Sequence, residues 1–328
     1  MKRIVALDIA KGFAIVCVVL GHIVSRDSVP GADWYTTLKL AVYSFHMPLF
    51  MTLSGMALGL SWRHRASWRD VGELVGRRVR TLLIPYFVFG IVVVAGKLIT
   101  SKFMHVDYAP DDFVHGIINV ALYPMESPSM FLWYIQVLAM YFLIVPWLLQ
   151  ADAVRMPFVL LGLGIVMNQF DWTLFMNFAG FVTFLPFFAA GIIIGQHWNK
   201  SVTTVFQPRL VWLWLLPFAV AVAYSSTIEF LPKWFVGILS VPAIMCAAQR
   251  IHGKVAHQLE FLGNHTLSIY LMNTIFIGLA KAVMFPFVPW RDGYFIIYFI
   301  VLAFAGLVMP IAIKMAMGRV QPTVAAYI

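Results

Sequence analysis

Three ionisable residues interrupt an apolar run near the start of the chain: Asp8, Lys11 and His22, within LDIAKGFAIVCVVLGHI at residues 7–23. A carboxylate, an ammonium and an imidazole are groups from which proton transfer and anion stabilisation are built. On a helix turning about 100° per residue, the step from Lys11 to His22 makes roughly three turns. Both then share a face, roughly 16 Å apart along the axis. Asp8, one turn before Lys11, falls near the same stripe and can pair with it. Ionisable groups inside a membrane helix usually face a bundle interior, a cavity or a partner. The same spacing also suits a Lys11 that snorkels to the headgroups and a His22 that sits wet at the other end. Spacing alone leaves both arrangements open.

Other candidates are spread along the chain. His46 lies in YSFHMPLFMTLSG, where Pro48 removes a backbone donor and Gly55 permits a close helix contact. It suits either packing or contact with a substrate. Arg77 and Arg80 are one helical turn apart, with Arg78 beside them. Guanidinium forks suit phosphate groups, although any multispanning protein carries such cations as cytoplasmic anchors. Trp133 opens an apolar segment that also holds Gln136, and aromatic residues there fit an interfacial belt or a stacking surface. Glu126 and Asp112 are loop acids. Asn264, His265, Ser268, Tyr270 and Asn273 put polar groups along a late apolar segment, but Asn264 and Asn273 would point from different faces of one helix. No HExxH, paired-cysteine, Walker, dinucleotide or GxSxG pattern is present, so no metal site is expected.

The elements that must position these residues are membrane helices. The chain of 328 residues is 62% hydrophobic and 11% charged, where a soluble domain carries roughly a quarter charged residues. Its mean hydropathy is +0.86. Apolar runs of membrane-crossing length are expected near 7–24, 38–60, 81–100, 131–149, 156–170, 178–196, 210–226, 234–249, 262–284 and 294–316. The predicted fold is therefore all-α: a polytopic membrane helical bundle of about ten transmembrane helices, forming a single domain over 1–328. The connections test this. With the N-terminus inside, Lys2, Arg3, Arg63, Arg65, Arg69, Arg77, Arg78, Arg80, Arg155, Lys200, Arg209, Arg250, Lys254 and Arg319 fall on the cytoplasmic side. Only Arg26, Lys102, Lys233 and Arg291 fall outside, which puts both termini in the cytoplasm. The net charge of +9 is thus topological and does not indicate nucleic acid. Asp8 and Lys11 break what would be a signal peptide's apolar region, so the first helix is expected to be retained. Residues 61–80 read as a short surface helix leading into the third span, and 113–122 as a segment lying on or dipping into the membrane.

In combination, LDIAKGFAIVCVVLGH, SFHMPLFMTLSG, GRRVRTLLIPY, FLWYIQVL and HTLSIYLMN resemble the acyltransferase-3 family of integral membrane acyltransferases, in its fucose 4-O-acetylase-like branch. The resemblance runs from residue 5 to about residue 320. It implies transfer of an acetyl group from cytoplasmic acetyl-CoA to a sugar hydroxyl of a surface polysaccharide, a lipid-linked glycan or a similar acceptor, in the bacterial inner membrane. Lys11 and His22 match the family's signature of a basic residue, ten residues, then histidine, and Arg77 with Arg80 match its Arg-x-x-Arg. The resemblance thus implies His22 as catalyst with Lys11 and Asp8 in support, and Arg77, Arg78 and Arg80 as contacts for the coenzyme. His46, Trp133 and Glu126 are candidates for contacting the acceptor. Many relatives end the late motif with histidine where this chain has Asn273. Apart from the resemblance, a ten-helix transporter or flippase would fit the same composition, although no pair of related halves is evident.

Overall fold

In a computed structural model the described residues are 4–24, 29–62, 67–103, 106, 108–225, 233–291 and 293–320. Lys2, Arg3, Arg26, Arg63 and Arg65, used in the charge comparison above, lie outside them. The described residues are overwhelmingly helical and contain no strand. Stretches long and apolar enough to cross a membrane are Val5–His22, Asp33–Ser61, Trp68–Thr100, Met130–Ala151, Phe175–Gln196, Pro208–Ser225, Thr266–Met284 and Phe295–Val320. The protein is a polytopic helical membrane protein. Two expected spans fall on shorter apolar helices: 156–170 on Met156–Met167, and 234–249 on Trp234–Arg250.

The helices form two compact units. One comprises Met1–Trp62 and Ala190–Ala312, the other Arg63–Ala189 and Ile313–Ile328. The first unit is built on α1 (Val5–His22), α2 (Asp33–Tyr43) and α3 (His46–Ser61). The expected span 38–60 is broken between α2 and α3, where Phe45 has φ −137° and ψ −25°. Pro48 explains the break: it lacks the N–H that would bond Ser44, and its ring clashes with the carbonyl four residues back. Pro48 therefore sits harmlessly in the first turn of α3, and the chain bends before His46 and not at it. Gly55 does admit a close neighbour. A Cβ on Gly191 would lie 3.0 Å from its Cα, and one on Gly195 would collide with the Met56 carbonyl.

The expected span 262–284 also divides. Gly253–Asn264 forms a separate helix and Thr266–Met284 the apolar one, with His265 (φ −108°, ψ 15°) between them. The Gly253–Asn264 helix lies directly on α1, backbone to backbone. A Cβ on Gly12 would run into the Leu259 carbonyl, and one on Gly263 into the Asp8 carbonyl. Side chains at those two positions would push the helices apart, as at other small-residue helix crossings.

The second unit is organised by a 33-residue helix, Trp68–Thr100. A capping box starts it: Ser67 Oγ accepts from the Asp70 N–H (3.2 Å), and the Asp70 carboxylate accepts from the Ser67 N–H (3.0 Å). The expected surface helix and third span are thus one continuous rod, and Arg77, Arg78 and Arg80 ride on its first half. The segment at 113–122 is a ten-residue helix, Phe113–Leu122, whose start is capped by Asp112 accepting from the His115 N–H (2.8 Å). Asp112 is accounted for by that task. Gln136 is buried in the Trp133–Ala151 helix and reaches the Ala121 carbonyl at 3.4 Å, bridging to the Phe113–Leu122 helix.

Candidate active site

His22 occupies the last turn of α1, where a helix leaves carbonyls without internal partners and a partial negative charge gathers. Here α2 supplies the partners. Tyr35 Oη donates to the Leu20 carbonyl (2.8 Å), Tyr43 Oη to the Gly21 carbonyl (3.0 Å) and Lys39 Nζ to the Val24 carbonyl (2.7 Å). Tyr35, Lys39 and Tyr43 recur every four residues and so form one stripe of α2. The Val24 N–H returns a bond to Tyr35 Oη at 3.1 Å. An edge-on contact with Phe295, 5.2 Å between ring centres, steadies the Tyr35 ring. Gly21 leaves room for the arrangement, because a Cβ there would lie 2.5 Å from Tyr43 Cε1.

The imidazole itself is held from a third direction. His22 Nδ1 lies 2.9 Å from Asn273 Oδ1, across 251 residues of sequence. Asn273 is completely buried in the Thr266–Met284 helix. His46, 6% exposed, opens α3 with its Nδ1 2.8 Å from the Val42 carbonyl, and its ring is tilted against Tyr43 at 5.1 Å. A carbonyl only accepts, so His46 Nδ1 donates and satisfies an end carbonyl of α2.

Towards the other end of α1, Lys11 Nζ lies 3.6 Å from Asp8 Oδ1, with side chains 26% and 14% exposed respectively. The expected pair forms. The helix is continuous between Lys11 and His22, so the roughly 16 Å axial separation holds.

Arg77, Arg78, Arg80, Trp133 and Glu126 belong to the second unit. Arg77, Arg78 and Arg80 are all exposed, and Arg78 also stacks its guanidinium over the Phe142 ring at 5.5 Å. Trp133 opens its helix tilted against Phe184 at 5.2 Å. Glu126 is exposed in the turn that follows the Phe113–Leu122 helix. Among the late polar residues, Asn264 is exposed at the end of its helix while Ser268, Tyr270 and Asn273 are buried. They part because the helix ends, as well as by rotation.

Comparison with known proteins identifies the group to which this arrangement belongs. The profile of the family described as "Acyltransferase domain" (acyltransferase-3) matches residues 4–313. The chain belongs to the acyltransferase-3 family. Among curated relatives, "Nodulation protein NolL" of Sinorhizobium fredii is 26% identical over 214 residues, 63% of this chain and 53% of that protein. A second "Nodulation protein NolL", of Mesorhizobium japonicum, is 34% identical over 86 residues, 26% of this chain and 22% of that protein. The match to the Sinorhizobium protein thus spans about half of that relative's length. No solved structure matches.

The family is one of acyltransferases, and this chain's helices are of the membrane-crossing kind. Sequence reasoning had found His22, Lys11 and Asp8 but missed what fixes the histidine. Tyr35, Lys39 and Tyr43 lay partly in what read as a loop before 38–60. Their four-residue repeat was the available signal. No local pattern could have paired Asn273 with His22.

Proposed function

We propose that the protein is an O-acetyltransferase that takes an acetyl group from cytoplasmic acetyl-CoA and places it on a sugar hydroxyl of a surface polysaccharide, a lipid-linked glycan or a similar acceptor. The observation that carries this reading is the histidine of the family's first-helix signature, held at the end of α1 by Asn273. A sugar hydroxyl is a poor nucleophile until its proton is removed, and imidazole, with an ordinary pKa near 6.5, suits that task. In direct transfer His22 accepts the hydroxyl proton as the oxygen bonds to the thioester carbonyl carbon. The C–S bond then breaks and the imidazolium returns the proton to the departing sulfur. In a relay the imidazole nitrogen takes the acetyl group as the C–S bond breaks and the coenzyme leaves as thiolate. The sugar oxygen then takes the acetyl group, the C–N bond breaks to restore neutral imidazole, and the hydroxyl proton ends on the thiolate.

The proposed labour is divided along α1. Lys11, about three turns from His22, is too far along the rod to touch a thioester oxygen that reacts at His22. Its ammonium, oriented by Asp8, suits the anionic part of the donor, which the coenzyme's long pantetheine arm separates from the thioester. Arg77 and Arg80 are proposed for the donor's phosphates because they are exposed and one turn apart. Arg78, exposed beside them and stacked on Phe142, is proposed as a further contact for the donor. His46, Trp133 and Glu126 remain proposals for acceptor contact.

The test uses protein purified in nanodiscs, acetyl-labelled acetyl-CoA, and glycans from a strain lacking the gene. Label moving onto glycan, with release of free coenzyme A thiol, is the expected result. Thiol release without acetylated glycan would refute the acceptor class, and neither product would refute the donor.

A further inference from the structure

Asn273 is oriented by its own helix independently of His22. Its Nδ2 donates to the Ile269 carbonyl at 2.9 Å and to the Tyr270 carbonyl at 2.8 Å. Both partners can only accept, so the amide nitrogen must face them and the amide oxygen must face the imidazole. The reversed amide would set its oxygen against two backbone carbonyls inside a fully buried site, a mismatch that burial makes expensive. Asn273 Oδ1 is therefore an acceptor of fixed direction, 2.9 Å from His22 Nδ1. The ring atom opposite an acceptor has to donate. The group that His22 Nδ1 meets at hydrogen-bond distance is the amide oxygen of Asn273.

We propose that Asn273 is a positioning residue that holds His22 in the Nδ1–H tautomer and so makes Nε2 the nitrogen that accepts a proton or an acetyl group. A neutral imidazole has one N–H; with it spent on Asn273, the basic lone pair resides on Nε2. The other tautomer would turn a lone pair on Nδ1 towards the lone pairs of Oδ1. An amide differs from a carboxylate in this place, because it fixes the ring's orientation without adding a negative charge. The consequence for turnover rests on the acyltransfer reading above. The tautomer does not.

The test separates the two. Nitrogen NMR of histidine-labelled protein in nanodiscs, at alkaline pH where imidazole is neutral, distinguishes a protonated ring nitrogen from one bearing a lone pair. The His22 signals are identified by their loss in His22→Gln. The expected wild-type pattern is a protonated Nδ1 and an unprotonated Nε2. Asn273→Leu, similar in shape but without an acceptor, should show a mixture of tautomers or the reverse one. It should transfer acetyl about ten- to a hundredfold more slowly, the penalty of one lost buried hydrogen bond, at unchanged acetyl-CoA affinity. Asn273→Ala is the second variant should the leucine fail to insert, with the same expectations. A wild-type His22 protonated on Nε2 overturns the inference, and so does a folded variant with full turnover. Wild-type protein with the expected spectrum but no acyl transfer would refute the proposed function and support the tautomer.

Discussion

The end of α1 and the arginine stretch of the Trp68–Thr100 helix both carry residues of the family's signatures, yet they are held in opposite ways. Around His22, three hydrogen bonds from α2 secure the surrounding carbonyls and Asn273 takes the ring itself. Around Arg77 and Arg80 there is a helix surface, exposed, with one neighbour stacked on Phe142. The difference matches the two kinds of task proposed for them. Proton transfer fails when a ring nitrogen is misdirected by a fraction of a bond length, so its site is tied from several elements. Attraction of a phosphate acts over a longer range and tolerates mobile side chains, so one helix suffices.

Substitution at His22 should break the comparison most visibly. His22→Ala is expected to cut acetyl transfer by roughly the hundred- to ten-thousandfold that general acid–base catalysis is worth, while membrane abundance is unchanged. Wild-type acetylation of glycans by that variant would remove His22 from the mechanism.

Arg77→Ala and Arg80→Ala should each weaken acetyl-CoA binding by roughly ten- to a hundredfold, from about 1.5–3 kcal/mol per charge-assisted bond. Arg69→Ala, whose guanidinium is engaged with Glu73 at 3.3 Å on the same helix, should change little. Affinity measured in nanodiscs decides. Equal losses at all three positions would mean that bulk charge and not a specific pair attracts the donor.

A smaller effect is expected from Gly21→Ala. Alanine favours a helix by about 1 kcal/mol over glycine, but its Cβ would press on Tyr43 and disturb the bond to the Gly21 carbonyl. Overpacking of this kind costs about 1–3 kcal/mol, so the variant should melt at a lower temperature and lose activity. A stabilised Gly21→Ala would show that the end of α1 is looser than its contact with Tyr43 implies. The equivalent change at Gly76, which has open space around it, should be neutral or slightly stabilising.

Topology sharpens the comparison without touching activity. Cysteines introduced at Asp111 or Arg291 should react with an impermeant reagent from outside, and those at Trp68 or Ala256 only after permeabilisation. That pattern would set the start of the arginine-bearing helix on the cytoplasmic side, where acetyl-CoA is found. The opposite pattern at either pair would reverse the assignment.

Much of this was legible in the sequence because a bilayer imposes simple rules. Apolar runs of crossing length must be helices when backbone groups have no water to bond, so the class and most spans follow from hydropathy. The face shared by Lys11 and His22, and the pairing of Asp8 with Lys11, follow from helical geometry alone, since both depend on neighbours within one rod. Helix ends were less legible. Pro48 was recognised as a disruption, but the break falls at Ser44–Phe45 because the ring clashes one turn upstream. The last residues of the separate Gly253–Asn264 helix fall inside the expected span 262–284 because they carry the same composition as the helix beyond.

What only the tertiary structure decided is which polar group meets which. Asn273 read as a departure from the family's more frequent histidine. In the fold it is the group bonded to His22, and its own two carbonyl contacts settle which way its oxygen faces. Tyr35, Lys39 and Tyr43 became partners of α1 only when α2 was laid against it. The physical reason is that apolar burial is non-directional and can be read from a pattern along the chain. A buried hydrogen bond is directional, and its partner is chosen by the packing of helices that the sequence keeps far apart.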